Sequence, residues 1–187
     1  MPTLTLIGYR GSGKSTVAAA IAGRLGCGWV DADDVLETAA GTTITNFITA
    51  QGEPAFRDLE ATLLEQLLAT ERGVLATGGG VVLCAHNRQL LRAHGRPVVW
   101  LSAPAAMLCD RLAADPATAS RRPPLTGGDV LAEVAAAVTA REPLYRATAD
   151  AVIEVSKSEP DEIVTRIIRW LEQPLAADHH GLPEQIA

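Results

Sequence analysis

One segment constrains the fold of this chain more than any other: Gly8-Tyr9-Arg10-Gly11-Ser12-Gly13-Lys14-Ser15. It lies between a short apolar run at 3–7 and a helix-like stretch at 14–25, which is the strand–loop–helix setting of a P-loop. Its glycines allow the main chain to wrap around phosphate groups with N–H groups pointing inward. The start of the helix adds partial positive charge at the same place. The pattern predicts a nucleoside triphosphate site.

The same pattern assigns roles to individual side chains. Lys14 is expected to hold the β- and γ-phosphates, and the Ser15 hydroxyl is expected to ligate Mg²⁺. The residues expected to contact the nucleotide are Gly11, Ser12, Gly13, Lys14, Ser15 and Thr16.

Short apolar runs alternate with segments of helical periodicity along the chain. Strands are predicted over 3–7, 28–30, 73–76, 97–101 and 151–155. Helices are predicted over 14–25, 33–40, 44–51, 54–70, 86–94, 104–114, 129–148 and 160–172. Such alternation is typical of a parallel sheet covered by helices on both faces, and ligands of these sheets bind beyond the carboxyl ends of the strands. A length of 187 residues is enough for one domain with a core but short for two.

The composition excludes several classes of partner. The chain is 48% hydrophobic and 20% charged, with a net charge of −6, so we expect no general affinity for nucleic acid or membranes. No apolar run approaches the ~20 residues that span a bilayer. The start of the chain shows no leader pattern, and three scattered cysteines indicate thiols in a reducing compartment, so we expect a cytoplasmic protein. Arginines near the strand ends suit small anionic ligands.

Two acidic residues follow the second predicted strand. Asp31 and Asp33 are two residues apart, so an extended backbone would point both side chains the same way. One carboxylate is a candidate to lie near Mg²⁺ through a water molecule, and the other to accept a hydrogen bond from a substrate hydroxyl. The alternative is that one of them only caps the helix at 33–40. Beside a P-loop, the functional interpretation is favoured.

Glycines and arginines mark two further candidate regions. Gly78-Gly79-Gly80 follows the third strand, where glycines expose backbone N–H groups and permit close approach. Arg57 lies near the start of the helix predicted at 54–70, and its planar guanidinium suits a carboxylate. Because Arg57 and Glu60 share one helix face, an ordinary surface ion pair is the alternative.

Later in the chain, the segment 115–128 shows little periodicity and carries Arg121 and Arg122, as a lid over a nucleotide would. The run 141–146 then lies late in a long helix that contains Pro143, where we expect a kink.

Together and in this order, these motifs resemble the shikimate kinase family over residues 3–172. The matching segments are Gly8–Thr16, Asp31-x-Asp33, Phe56-Arg57-x-x-Glu60, Gly78-Gly79-Gly80, Arg122-Pro123-x-Leu125-Thr126-Gly127 and Arg141-Glu142-Pro143-Leu144-Tyr145-Arg146. The resemblance implies a three-layer α/β P-loop kinase fold with a five-stranded parallel sheet in the order 2-3-1-4-5, flanked by helices, with lid and substrate-binding segments. It also implies ATP-dependent phosphorylation of the 3-hydroxyl of shikimate, giving shikimate 3-phosphate and ADP in aromatic amino acid biosynthesis.

The resemblance also implies roles for single residues. Lys14, Asp33 and Arg122 would be catalytic, Arg111 would stack on adenine, and Ser15 with Asp31 would position Mg²⁺. The residues that would bind shikimate are Asp33, Arg57, Gly79, Gly80 and Arg141. This chain departs from the family pattern at Ile48, where some members place an aromatic residue, and around the extra Arg121.

Three other kinds of function compete with this interpretation. A gluconate or adenylylsulfate kinase could share the scaffold, but Arg57, the glycines at 78–80 and Arg141 favour an acceptor that carries a carboxylate. A GTPase switch is expected to show Asn-Lys-x-Asp, and the sequence contains no Asn-Lys pair. A binding-only module is expected to lose Lys14, Asp33 or Arg122.

The expected organisation is one kinase domain over 1–172, with a lid at about 115–128 and a loosely ordered polar tail over 173–187. The pair His179-His180 in the tail is more typical of solvated side chains than of a metal site. The expected partners are ATP and shikimate, and the expected assembly is a monomer.

Overall fold

The computed structural model describes residues 1–114, 130–173 and 183–186. The strands are β1 (Leu4–Ile7), β2 (Trp29–Asp31), β3 (Val74–Ala76), β4 (Val98–Ser102), β5 (Ala151–Glu154) and β6 (Glu184–Gln185). The helices are α1 (Lys14–Leu25), α2 (Ala32–Ala40), α3 (Ile44–Thr70), α4 (Ala85–His94), α5 (Ala105–Ala114), α6 (Val130–Thr148) and α7 (Pro160–Leu171). A short 3-10 helix covers Val81–Leu83.

The strands form one parallel sheet in the order β2-β3-β1-β4-β5-β6. The first five strands confirm the expected α/β fold and the order 2-3-1-4-5. Because β1 pairs with β3 on one side and β4 on the other, the loop that follows β1 lies in the middle of the carboxyl edge of the sheet. This is the position where ligands of open parallel sheets bind.

Alternating side chains of the strands fill two cores, one on each face of the sheet. On one face, residues such as Leu6, Val99 and Ile153 pack with α1 and α7. On the other face, Leu75 and Trp100 pack with apolar residues of α3 and α4. Strands β1, β3, β4 and β5 are buried on both sides, which explains why their sequences are nearly continuous apolar runs. The result is the three-layer arrangement that the sequence predicts.

The sheet has one strand more than expected. Residues Glu184–Gln185 pair with β5, and Ile186 is buried in the core beside α7. The Trp170 indole N–H donates to the Glu184 carboxylate at 2.9 Å, and Arg166 Nη2 donates to the carbonyl of Ile186 at 2.6 Å. The expectation of a loosely ordered end is therefore wrong for 184–186. Two paired residues are too few to show an alternating pattern in the sequence.

Helix α3 is interrupted as the two predicted helices at 44–51 and 54–70 suggest. Gly52 has φ +84° and ψ 162°, a non-helical conformation that glycine adopts at little cost, and Pro54 follows it. Helix α6, where a kink was expected at Pro143, continues past that residue to Thr148. In the described ranges, no helix combines the length and the apolar character needed to cross a bilayer.

Candidate active site

A cavity of about 560 Å³ opens at the carboxyl edge of the sheet. The loop between β1 and α1 forms its floor, and α5 and the start of α7 border it. Its lining includes Arg10, Gly11, Ser12, Gly13, Lys14, Ser15, Thr16, Asp31, Asp33, Thr77, Gly79, Arg111, Val155, Pro160 and Ile163. Every residue of the predicted nucleotide set except Arg122 therefore lines one cavity.

The loop between β1 and α1 has the conformation that a phosphate cradle requires. Gly11 and Gly13 have φ values of +80° and +92°, which side chains with a Cβ rarely adopt. Lys14 is 9% exposed, and its Nζ donates to the carbonyls of Gly8 at 2.9 Å and Tyr9 at 3.0 Å. Arg111 reaches over from α5 and donates to the carbonyl of Gly11 at 3.2 Å.

Asp31 forms the helix cap that the alternative interpretation expected, and it also contacts the P-loop. One carboxylate oxygen accepts a hydrogen bond from the N–H of Asp33 at 2.9 Å and so caps α2. The other oxygen accepts a hydrogen bond from the Ser15 hydroxyl. Asp31 therefore joins the start of α2 to the P-loop.

The environment of Asp31 disfavours its negative charge. Burial raises the pKa of the Asp31 carboxyl, and the nearby charges of Asp33 and Asp34 raise it as well, while hydrogen bonds from Ser15 and the Asp33 N–H oppose the change. A cation would relieve this cost, and a hydroxyl and a carboxylate in contact are oxygen ligands of the kind Mg²⁺ takes. The Ser15–Asp31 pair therefore fits Mg²⁺. Within the described residues there is no cluster of three or more His, Cys, Asp or Glu that could hold a metal by itself.

Asp33 lies at the junction of two pockets. It lines the large cavity, and it also lines a small neighbouring pocket together with Glu60, Thr77 and Gly78. Thr77 is 2% exposed, and its hydroxyl donates to the carbonyl of Leu6 at 3.0 Å. Asp33 therefore borders both the P-loop cavity and the pocket beside the glycine turn.

Close packing explains two of the glycines at 78–80. A Cβ on Gly79 would lie 2.8 Å from the backbone nitrogen of Arg10, and a Cβ on Gly80 would lie 2.5 Å from Nη1 of Arg57. Both distances are shorter than real contacts allow. The turn after β3 therefore presses against the P-loop on one side and against Arg57 on the other.

Arg57 forms the ion pairs that the alternative interpretation expected, and it also lies at the glycine turn. Its guanidinium contacts Glu60 at 2.8 Å and Glu53 at 2.9 Å, and lies over the Phe56 ring at 4.8 Å from the ring centroid. Burial acts to lower the pKa of Arg57, but the charge and hydrogen bond of Glu60, with those of Glu53, raise it overall. Arg57 therefore remains a cation, paired with Glu60 and Glu53.

Arg141 approaches the same turn from α6. Its Nη1 donates to the carbonyl of Gly79 at 3.4 Å, and its guanidinium lies over the Tyr9 ring at 5.1 Å from the centroid. Neither Arg57 nor Arg141 lines the large cavity itself. They reach Gly80 and Gly79, and Gly79 is a wall of that cavity. Two guanidinium groups from different helices thus converge beside the P-loop.

Other predicted residues lie elsewhere. Arg121, Arg122, the pair His179-His180 and the lid at 115–128 lie outside the described residues. Arg146 pairs with Glu142 at 2.9 Å and lies over the Trp100 ring, so it does not join the two arginines at the turn. Phe47 and Ile48, at the departure from the family pattern, pack against the cluster that contains Phe56.

Sequence reasoning missed several residues that support the site. The Tyr145 hydroxyl donates to the carbonyl of Gly79 at 2.6 Å, the Tyr9 ring lies under Arg141, and Arg10 lines the cavity. The signal for Tyr145 was its position four residues after Arg141, which places both on one face of a helix. No comparable sequence signal indicates a role for the ring of Tyr9.

Comparison with known proteins agrees with this geometry. The family model for shikimate kinase matches residues 10–172. The shikimate kinase of Rhodopirellula baltica is 43% identical over 166 residues, which cover 89% of this chain and 88% of that protein. Shikimate kinase 2 of Dickeya chrysanthemi is 41% identical over 171 residues, which cover 91% of this chain and 96% of that protein.

A solved structure is similar over about the same share of the chain. Shikimate kinase from Acinetobacter baumannii in complex with shikimate superposes with a TM-score of 0.83 at 32% identity, covering 90% of this chain and 91% of that one. The order of the motifs, the sheet topology and these matches lead to one conclusion: this chain belongs to the shikimate kinase family.

Proposed function

We propose that this enzyme transfers the γ-phosphoryl group of ATP to the 3-hydroxyl of shikimate, giving shikimate 3-phosphate and ADP in aromatic amino acid biosynthesis. The observation that supports this most strongly is the convergence of Arg57 and Arg141 on the turn at Gly79 and Gly80. Two guanidinium groups next to a triphosphate site suit an acceptor with one carboxylate, because each planar fork can bind both carboxylate oxygens.

The nucleotide side of the site is proposed to use the loop after β1. Backbone N–H groups of 11–16 would surround the phosphates, and Lys14 would leave its contacts with the carbonyls of Gly8 and Tyr9 to bind the β- and γ-phosphates. Arg111 borders the cavity and would stack on the adenine. Arg122, which completes the catalytic set, and closure of 115–128 stay predictions from the sequence.

Mg²⁺ is proposed to bind at Ser15 and Asp31, where the hydroxyl and the carboxylate already meet. The ion would neutralise charge on the phosphates of ATP. The carboxylate would be held for it by the cap that Asp31 forms on α2.

Asp33 is proposed to accept a hydrogen bond from the reacting 3-hydroxyl. This role is supported by the fact that Asp33 lines both the large cavity and the small pocket that Glu60 also lines. It would orient the hydroxyl oxygen toward the γ-phosphorus and take its proton as the bond forms. Phosphoryl transfer requires positioning more than a strong base.

One coupled assay tests the proposal. ADP release from Mg-ATP is measured with shikimate, with quinate and gluconate as controls, for the parent and for Arg141→Ala. A charge-assisted hydrogen bond contributes about 1.5–3 kcal/mol, so we expect the KM for shikimate to rise about tenfold or more and the KM for ATP to change little.

Arg24→Ala is a matched control, because Arg24 pairs with Asp161 and is not among the residues that line the cavity. ADP release that is as fast with gluconate as with shikimate would contradict the proposal. So would an Arg141→Ala variant with equal changes in both KM values.

We further propose that the enzyme acts as a monomer in the cytoplasm. Within the described residues, Cys27, Cys84 and Cys109 form no disulfide bond, which is consistent with a reducing compartment. Size-exclusion chromatography coupled to light scattering tests the assembly, and a mass near twice 19.6 kDa would contradict it.

A further inference from the structure

The carbonyl of Gly79 receives hydrogen bonds from two side chains of the same helix. The Tyr145 hydroxyl donates to it at 2.6 Å, and Arg141 Nη1 donates to it at 3.4 Å. Arg141 and Tyr145 are four residues apart on α6, so they lie on one face of the helix. The shorter distance makes the tyrosine the stronger of the two donors.

The Tyr145 side chain is held rigidly. It is 1% exposed, and its ring stacks on Trp100 with the centroids 5.5 Å apart and the planes inclined by 14°. The guanidinium of Arg146 covers the Trp100 ring at 5.3 Å. The stacking on Trp100, a residue of β4, therefore holds the Tyr145 ring in the position from which its hydroxyl reaches Gly79.

Arg141, by contrast, forms only a weak hydrogen bond with Gly79. Its hydrogen bond to that carbonyl is long, and among the described residues its guanidinium otherwise lies over the face of the Tyr9 ring. A guanidinium in this position can turn toward a carboxylate at modest cost if another donor keeps the carbonyl satisfied. A buried carbonyl without any donor would instead retain the guanidinium, because an unpaired polar group is costly.

We propose that Tyr145 is a positioning residue for the acceptor site, which rests on the proposed function of Arg141. Its hydroxyl fixes the glycine turn against α6 and satisfies the Gly79 carbonyl, so that the Arg141 guanidinium is available to the carboxylate of the acceptor. Removal of the hydroxyl makes the carbonyl compete with the substrate for Arg141. The nucleotide side of the cavity has no part in this competition.

The test compares Tyr145→Phe with Thr148→Val. Both remove one buried hydroxyl from the same helix, but the Thr148 hydroxyl donates to the carbonyl of Leu144 and not to the glycine turn. We expect Tyr145→Phe to raise the KM for shikimate about three- to tenfold with the KM for ATP unchanged. Thr148→Val is expected to leave both KM values unchanged, even where the two variants lower the melting temperature equally.

Two further variants distinguish the possible failures. If Arg141→Ala leaves the KM for shikimate unchanged, the proposed function of Arg141 is wrong. If Arg141→Ala raises it but Tyr145→Phe does not, or if Tyr145→Phe raises both KM values equally, only the role of Tyr145 is wrong. In the double variant we expect Tyr145→Phe to add little to Arg141→Ala, since the competition needs the guanidinium; additive effects overturn the proposal.

Replacement of Tyr145 by 4-aminophenylalanine keeps a hydrogen-bond donor at the same ring position. It tests the hydrogen bond even if Tyr145→Phe folds poorly. We expect this replacement to restore the KM for shikimate toward the value of the parent. A KM as high as that of Tyr145→Phe, in a variant that melts like the parent, overturns the hydrogen-bond role.

Discussion

At the scale of single residues, Asp31 connects the stability of the fold to the site. The folded state raises the pKa of this carboxyl above its usual value of 3.8, chiefly through burial. The folded protein therefore holds this proton more readily than the unfolded chain does. The contribution of Asp31 to stability falls as the pH rises through the folded pKa, and at neutral pH its charge is a cost.

Asp31→Asn is expected to separate these effects. The amide oxygen can still accept the N–H of Asp33, so we expect a melting temperature at pH 7, without ligands, equal to or above that of the parent. Turnover with Mg-ATP is expected to fall about tenfold or more, because the anionic ligand is lost. Differential scanning fluorimetry and a Mg²⁺ titration of activity measure the two effects. A lower melting temperature with an unchanged Mg²⁺ response would contradict both expectations.

Asp33→Asn is expected to act on turnover alone. The variant keeps a hydrogen-bond acceptor near the acceptor hydroxyl but loses the carboxylate that takes the proton, so we expect kcat to fall about 10²-fold. Steady-state kinetics at saturating ATP and shikimate measure this. Near-normal turnover would remove Asp33 from the reaction and leave it only the role of a residue in the first turn of α2.

At the scale of elements, the turn after β3 lies between the P-loop and α3 and contacts both of them. A Cβ on Gly80 would meet the end of the Arg57 side chain, which can move, whereas a Cβ on Gly79 would meet the backbone of Arg10, which cannot. We expect Gly80→Ala to fold normally and to raise the KM for shikimate, and Gly79→Ala to melt lower and to impair both substrates. Melting curves and both KM values test this contrast, and identical behaviour of the two variants would refute it.

Much of the element structure could be predicted because the signals are local. The P-loop and the apolar strands predict five strands close to their observed bounds, and the interruption of α3 at Gly52 falls between two predicted helices. The contact of Tyr145 with Gly79 spans 66 residues, and helical periodicity does not say which distant atom a hydroxyl will meet. The strand β6 could not be predicted either, because it is defined by its pairing with β5, a distant part of the chain.

At the scale of the whole molecule, β6 brings the residue that follows it, Ile186, into the core between the sheet and helices α1 and α7. Ile186 is 4% exposed and packs in the cluster that also contains Ile163, a residue that lines the nucleotide cavity. We expect Ile186→Ala to lower the free energy of unfolding by about 2–4 kcal/mol, as truncation of a buried isoleucine usually does. Urea denaturation measures this, with the exposed Gln185→Ala as the control. A change below about 0.5 kcal/mol would mean that the Ile186 side chain adds nothing to stability.

The stack of Trp100 on Tyr145 gives the molecule an optical reporter of its own. Trp29 is 42% exposed and Trp170 is buried beside β6, but Trp100 adjoins the side chain that supports the glycine turn. We therefore expect the fluorescence emission of Trp100 to change when an organic acid binds at the proposed acceptor site beside Gly79. The substitution Trp100→Phe is expected to remove that change. Acceptor binding could then be followed by intrinsic fluorescence, in the absence of nucleotide and without a dye.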